Sequence, residues 1–109
     1  MNLKVAACVV NQTPLDWHGN RNRLKAVLEH AKEKKVDVLC CPELCLSGYG
    51  CEDAFHSPDT AQMSWRVLQE LLPFCRGLVV SFGLPIWHGG AVYNAVVLVV
   101  DGKLSLIHI

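Results

Sequence analysis

The chain has 109 residues, 51% of them hydrophobic and 18% charged, which suits one globular domain with a substantial core. Lysine plus arginine and aspartate plus glutamate number ten each, so no basic field favours a nucleic acid or an anionic membrane as partner. No stretch approaches the roughly 20 apolar residues of a membrane span, and the first residues are too polar for a signal peptide. We therefore expect a cytoplasmic protein whose cysteines remain thiols.

The hydrophobic pattern of the first half predicts a strand, a helix and a second strand. Residues 3–10, LKVAACVV, are apolar on both faces, which predicts a strand in the middle of a sheet. Residues 20–35 carry apolar side chains at helical spacing and predict an amphipathic helix. These apolar residues are Leu24, Val27, Leu28 and Ala31. Residues 36–41, VDVLCC, predict a second buried strand, which ends at Pro42 because proline cannot donate to a strand ladder.

The second half predicts another helix followed by three strands. Ser57 and Pro58 suit the N-cap and the first position of that helix. Its apolar stripe consists of Met63, Val67, Leu68, Leu71 and Leu72. Residues 78–87 predict a strand broken at Pro85, and two further strands are joined by an Asp-Gly turn at residues 101–102. This order of elements indicates a single α/β domain with a mixed sheet.

Six cysteines raise the question of whether any of them is catalytic or binds a metal. None of their spacings is the C-x-x-C of structural zinc sites, so we expect no metal site. Four of them are predicted to be small buried hydrophobic side chains, namely Cys8, Cys40, Cys41 and Cys75. Cys51 precedes Glu52 and Asp53, whose negative charges disfavour a reactive thiolate, so we do not assign it as a nucleophile.

Glu43 is the candidate catalytic residue. It follows the predicted second strand, and ligands of open α/β sheets usually bind at the carboxyl ends of the strands. Its neighbours Pro42 and Leu44 are apolar, which predicts a desolvated carboxylate that is suited to general-base work. From the residues alone, a surface glutamate or a structural ion pair is the alternative.

Several stretches resemble the nitrilase superfamily of carbon-nitrogen hydrolases. VDVLCCPELCLSGY, residues 36–49, is similar to the family's first signature, in which a strand ends in Pro-Glu and a Gly-Tyr loop follows. KVAACVVNQTPLDWHGNRNRLKAVLEHA resembles the first strand and helix of the family, and GLPIW and YNAVVLVVDGK resemble its third strand and the following hairpin. The resemblance reaches about Lys103. The loop GYGCEDAFHSPDT is most similar to the glutaminase domains of glutamine-dependent NAD synthetases.

This resemblance implies an αββα sandwich with a Glu-Lys-Cys catalytic site, of which the chain holds the N-terminal part. Glu43 would be the proton acceptor, and Tyr49 would line the substrate pocket. The family's lysine and cysteine would follow Ile109, so we expect residues 1–109 to be a truncated domain that lacks the nucleophile and is inactive alone. Residues 104–109, LSLIHI, fit the family poorly and resemble translated adapter sequence, which leaves the alternative that this tail is not native.

The resemblance also implies the chemistry of the full-length protein. Glutamine would be hydrolysed, and its ammonia would amidate nicotinic acid adenine dinucleotide in a synthetase domain that uses ATP and magnesium. We expect no cofactor in the 109 residues themselves and a homo-oligomer when the protein is full length. A stand-alone amidase or nitrilase and a non-catalytic fragment are the two alternatives.

Overall fold

The computed structural model describes all 109 residues, which form one five-stranded sheet with two α-helices on one face. The strands lie in the order β1-β2-β3-β4-β5; β1, β2 and β3 are parallel, and β4 is antiparallel to both β3 and β5. The elements are β1 (Val5–Ala7), α1 (Trp17–Glu33), β2 (Val38–Cys40), α2 (Pro58–Leu71), β3 (Val79–His88), β4 (Ala91–Val100) and β5 (Lys103–His108), with short 3₁₀ turns at Glu52–His56 and Leu72–Cys75. The predicted α/β class with a mixed sheet is confirmed.

Helix α1 begins at Trp17, before the predicted start at residue 20. Its N-cap is Asp16, whose Oδ1 accepts a hydrogen bond from the backbone N–H of Gly19 at 3.1 Å. The buried side chains lie three or four residues apart, as an amphipathic helix on a sheet requires. They are Asn20, Leu24, Leu28 and Ala31. The one polar member of this buried set, Asn20, belongs to the candidate site.

Helix α2 begins at Pro58 with Ser57 at its N-cap position, so its predicted start is confirmed. Proline fits there because the first helical N–H groups have no intrahelical partner. The predicted stripe is buried at Val67, Leu68 and Leu71, whereas the other two predicted members are only half-buried. These leucines and the valine pack α2 on β3.

Strand β1 is an edge strand, so its predicted place in the middle of the sheet is wrong. Only three residues have strand geometry, and Val5 is 69% exposed. A run that is apolar on both faces is typical of a central strand, but strand order depends on contacts between segments far apart in sequence. The pattern of residues 3–10 therefore identified a strand and not its position.

Strand β3 continues through Pro85, where the sequence predicted a break. Strand β2 pairs only with Val79–Ser81 of β3, so no β2 residue lies opposite Pro85. On that side of β3 the missing N–H removes no ladder hydrogen bond, and Pro85 still pairs in register with Asn94 of β4. The long β3 strand thereby projects past the end of β2, under the loop that follows β2.

Two tight turns join the antiparallel strands. The residues between β3 and β4 are Gly89 and Gly90, with φ of 58° and 82°, and those between β4 and β5 are Asp101 and Gly102, with φ of 50° and 77°. Positive φ at both central residues is the type I′ geometry that matches the twist of a hairpin. The predicted hairpin at residues 101–102 is confirmed.

The two faces of the sheet differ sharply in burial. The face under the helices contributes the core residues Val80, Phe82, Leu84, Val97 and Val99, each 0% exposed. No helix covers the other face, and the loop after β2 lies over it only at Gly83. The exposed side chains of this face include Val5, Cys40, Val96, Val100 and Leu106. We call this second surface the open face. Neither helix is long and apolar enough to cross a bilayer.

Candidate active site

Glu43 lies just beyond the carboxyl end of β2, as predicted, in the loop that leads toward α2. The start of this loop is tied to β3, because the backbone N–H of Cys41 donates to the carbonyl oxygen of Ser81 at 3.0 Å. The side chain of Glu43 is exposed, so the prediction of a desolvated carboxylate is wrong for this chain. The apolar neighbours Pro42 and Leu44 leave the carboxylate exposed, beside the exposed side chain of Asn94 on β4.

One oxygen of the Glu43 carboxylate is held by strand β4. The side-chain nitrogen Nδ2 of Asn94 donates a hydrogen bond to Oε1 of Glu43. Adjacent Ala95 is fully buried on the helix side, and successive strand residues point to opposite faces, so Asn94 points to the open face. Asn94 was not among the residues predicted for the site. In the sequence it stands out as a polar residue inside the apolar run YNAVVLVV, which could have marked it as a site residue.

The backbone of Glu43 rests on a glycine of β3. A Cβ atom added to Gly83 would lie 2.8 Å from the carbonyl oxygen of Pro42 and 2.9 Å from the carbonyl carbon of Glu43. Gly83 also accepts, through its own carbonyl oxygen, the backbone N–H of Leu46 at 3.2 Å. A glycine inside a strand often marks such a close backbone approach, and this signal in the sequence was missed. Only glycine allows the loop to lie this close to β3.

A buried polar network fixes the rest of this loop from the side of α1. Asn20 is 0% exposed; its Nδ2 donates to the carbonyl oxygen of Thr13 at 2.8 Å, and its Oδ1 accepts the backbone N–H of Thr13 at 3.0 Å and Arg23 at 2.7 Å. Gln12 donates to the carbonyl oxygen of Cys45 at 2.7 Å and accepts from Arg23 Nε at 2.8 Å. Residues just after Glu43 are thereby anchored to the segment before α1.

We expect Asn20→Ala to lower the free energy of unfolding by about 2 kcal/mol, because it removes a fully buried side chain together with its hydrogen bonds to the backbone of Thr13 and to Arg23. Urea unfolding of the full-length protein measures this difference. Asn22→Ala is the matched control, since Asn22 is exposed on the same helix, and its stability should remain close to that of the unsubstituted protein. Equal stability of the two variants would contradict a structural role for the buried network.

Tyr49 and Cys51 occupy the far part of the same loop. Tyr49 is 69% exposed, and the structure brings no partner to its hydroxyl, so its predicted role in a substrate pocket stays a prediction. The thiol of Cys51 is buried and lies 3.3 Å from the carbonyl oxygens of both Ser47 and Gly48. These contacts make Cys51 a residue that packs the loop onto itself.

The other cysteines differ in how far their thiols are buried. Burial raises the pKa of Cys45 to about 12 and that of Cys75 to about 11, so both remain protonated at neutral pH. The neighbouring thiol of Cys8, together with burial, raises the pKa of Cys41, and the thiol of Cys41 lowers the pKa of Cys8. Cys40 is exposed on the open face, so its predicted burial is wrong: alternate residues of β2 face away from the helices.

Comparison with known proteins identifies the class to which this fold and loop belong. Residues 4–107 match the carbon-nitrogen hydrolase family. The chain belongs to that family, and its α/β fold is the nitrilase-type fold.

Among individual proteins, the chain is similar to glutamine-dependent NAD(+) synthetases. It is 37% identical over 105 residues to that of Drosophila melanogaster, covering 94% of this chain and 13% of the relative. A putative synthetase of Schizosaccharomyces pombe is 35% identical over 105 residues, which cover 94% of this chain and 15% of the relative. The crystal structure of the Cytophaga hutchinsonii synthetase is 38% identical, with a TM-score of 0.94, and covers 96% of this chain and 18% of that one.

An amidase from Nesterenkonia sp. shares the fold at lower identity. Its structure is 20% identical, with a TM-score of 0.81, and the match covers 96% of this chain and 41% of the amidase. At this identity the likeness concerns the fold alone. The chain spans only about a seventh of the length of the two synthetases from Drosophila melanogaster and Schizosaccharomyces pombe.

Proposed function

We propose that this chain forms part of the glutaminase site of a glutamine-dependent NAD synthetase and that Glu43 is its proton acceptor. The observation that supports this most directly is the arrangement of Glu43. Its backbone rests on Gly83 and its carboxylate is held by Asn94, at the end of a strand in a chain that is 35% to 38% identical to such synthetases. The carboxylate is exposed and therefore accessible to a reacting group.

In the proposed reaction Glu43 moves protons twice. Its carboxylate takes the proton of a cysteine thiol, the thiolate adds to the side-chain amide carbon of glutamine, and a lysine stabilises the oxyanion. Protonated Glu43 then gives the proton to the leaving ammonia, which leaves a thioester. Glu43 next accepts a proton from the water that cleaves the thioester to glutamate, and it returns this proton to the departing thiolate, which restores the thiol and the carboxylate. By family resemblance, the cysteine and lysine are supplied from outside residues 1–109, so we propose that these residues alone are inactive.

The remaining chemistry is proposed for a synthetase domain. There ammonia would amidate nicotinic acid adenine dinucleotide with ATP and magnesium. By family resemblance, ATP and magnesium would bind in that synthetase domain. A stand-alone amidase or nitrilase of the carbon-nitrogen hydrolase family is the second candidate, because it would share Glu43 and the early strands.

The nitrogen donor distinguishes these candidates. The full-length protein, given nicotinic acid adenine dinucleotide, ATP and magnesium, should form NAD with either glutamine or ammonium chloride, and one glutamate should appear per NAD when glutamine is the donor. Chromatography of the nucleotides and an assay of glutamate measure both products. Hydrolysis of amides without NAD formation would instead establish an amidase. The absence of both reactions would establish a non-catalytic protein.

A further inference from the structure

We propose that Asn94 is a positioning residue that holds the carboxylate of Glu43 in its working orientation. This inference rests on the proposed function of Glu43. It concerns a residue on another strand, 51 positions away in the sequence. The contact that carries it is the hydrogen bond from Nδ2 of Asn94 to Oε1 of Glu43.

The carboxylate of Glu43 needs a hydrogen-bond partner such as Asn94 because nothing else in the chain restrains it. Glu43 is exposed, and it takes part in none of the ion pairs of the structure. An exposed glutamate side chain rotates freely and loses rotamer entropy when it is fixed. A single directed hydrogen bond from a rigid strand reduces this freedom before the substrate arrives.

Strand β4 is a rigid place from which to hold Glu43. Asn94 lies inside a ten-residue strand, opposite Pro85 of β3, in a ladder that pairs all ten residues of each strand. The same β3 strand carries Gly83, on which the backbone of Glu43 rests. The backbone and the carboxylate of Glu43 therefore both contact the same hairpin, β3-β4, which fixes their relative position.

The chemistry of an amide suits this role. The Nδ2 group donates and does not titrate, so it cannot take up the proton that Glu43 must carry. Because Asn94 occupies Oε1, the second oxygen, Oε2, is left for the proton of the reacting group.

A merely structural role for Asn94 has little support. Its side chain is exposed and makes no hydrogen bond other than the one to Glu43, so its removal leaves no other group without a partner. Loss of the side chain should therefore change the thermal midpoint of unfolding little. The effect should appear in the rate of the chemical step.

The test is a double-mutant cycle in the full-length protein. We expect Asn94→Ala to lower kcat for glutamine hydrolysis by about tenfold and to change KM by less than about twofold, since the substrate is still bound but the base is misplaced. In the Glu43→Gln background the same substitution should cause no further loss, because Asn94 acts through Glu43. Asn2→Ala, at the opposite end of the parallel strands, is the matched control and should retain full activity.

The outcomes separate this inference from the proposed function. If Glu43→Gln retains full glutaminase activity, the proposed function is wrong. If Glu43→Gln is inactive while Asn94→Ala has unchanged kcat, or if the two losses simply multiply, Asn94 is not a positioning residue. Should Asn94→Ala fail to fold, Asn94→Asp keeps the shape of the side chain but cannot donate when ionised, and unchanged kcat in that variant would equally overturn the inference.

Discussion

Replacing Glu43 with glutamine is expected to lower ammonia release from glutamine by about a hundredfold or more in the full-length protein, the usual size of the loss of a general base. Glutamine has nearly the same shape, and its side-chain oxygen can still accept the hydrogen bond from Asn94. It cannot take a proton from a thiol or from water. Steady-state release of ammonia, followed at saturating glutamine, measures the difference in kcat.

Two controls make this substitution specific. Glu29→Gln removes an exposed carboxylate from α1 and should leave the rate unchanged. NAD formation with ammonium chloride as the donor should also be unaffected in Glu43→Gln, since that reaction bypasses glutamine hydrolysis. Full glutaminase activity in Glu43→Gln would show that Glu43 is a surface residue without a catalytic role.

Gly83→Ala is expected to reduce glutamine hydrolysis by about a hundredfold as well, because a displacement of roughly 1 Å at a catalytic group can cost that much. The added methyl group would overlap the backbone of residues 42–44, which must move away from β3. Backbone atoms cannot rotate aside as a flexible side chain does. The base would then be displaced while its chemistry stays intact, and kcat under saturating glutamine records the loss.

The matched control for Gly83 is Gly50→Ala in the same loop. A Cβ at Gly50 would lie 3.6 Å from Cγ of Pro14, an ordinary contact, and the backbone there does not have positive φ. Gly50→Ala should therefore keep its activity. If Gly83→Ala were equally active and equally stable, the close approach between β3 and the loop would have no part in placing Glu43.

Local patterns predicted the elements of this fold well. The start of α2 at Pro58, the hairpin at residues 101–102 and the position of Glu43 after β2 depend on neighbouring residues in the sequence, and all three are confirmed. The family was also evident from the residues around Glu43, because several motifs occurred in the right order. Each of these correct predictions depends on residues that are close together in the sequence.

The errors and omissions concern contacts between distant segments. Three features depend on which other strands or layers neighbour them in the folded chain. They are the edge position of β1, the continuation of β3 through Pro85 and the exposure of Glu43. The roles of Asn94 and Gly83 likewise arise from three-dimensional contacts with the loop after β2. A polar residue and a glycine inside apolar strands were visible signals, but their partners could not be read from spacing.

The unequal sequence separation of the strand pairs has a consequence for the order of folding. Strands β3, β4 and β5 are joined by two-residue turns, so their pairing costs little loop-closure entropy and is expected to occur early. The parallel pairs β1-β2 and β2-β3 each enclose a helix and must close much longer loops. We therefore expect Asn94 and Gly83 to lie in the part that forms first, and Glu43 to reach them only after the slower parallel pairing.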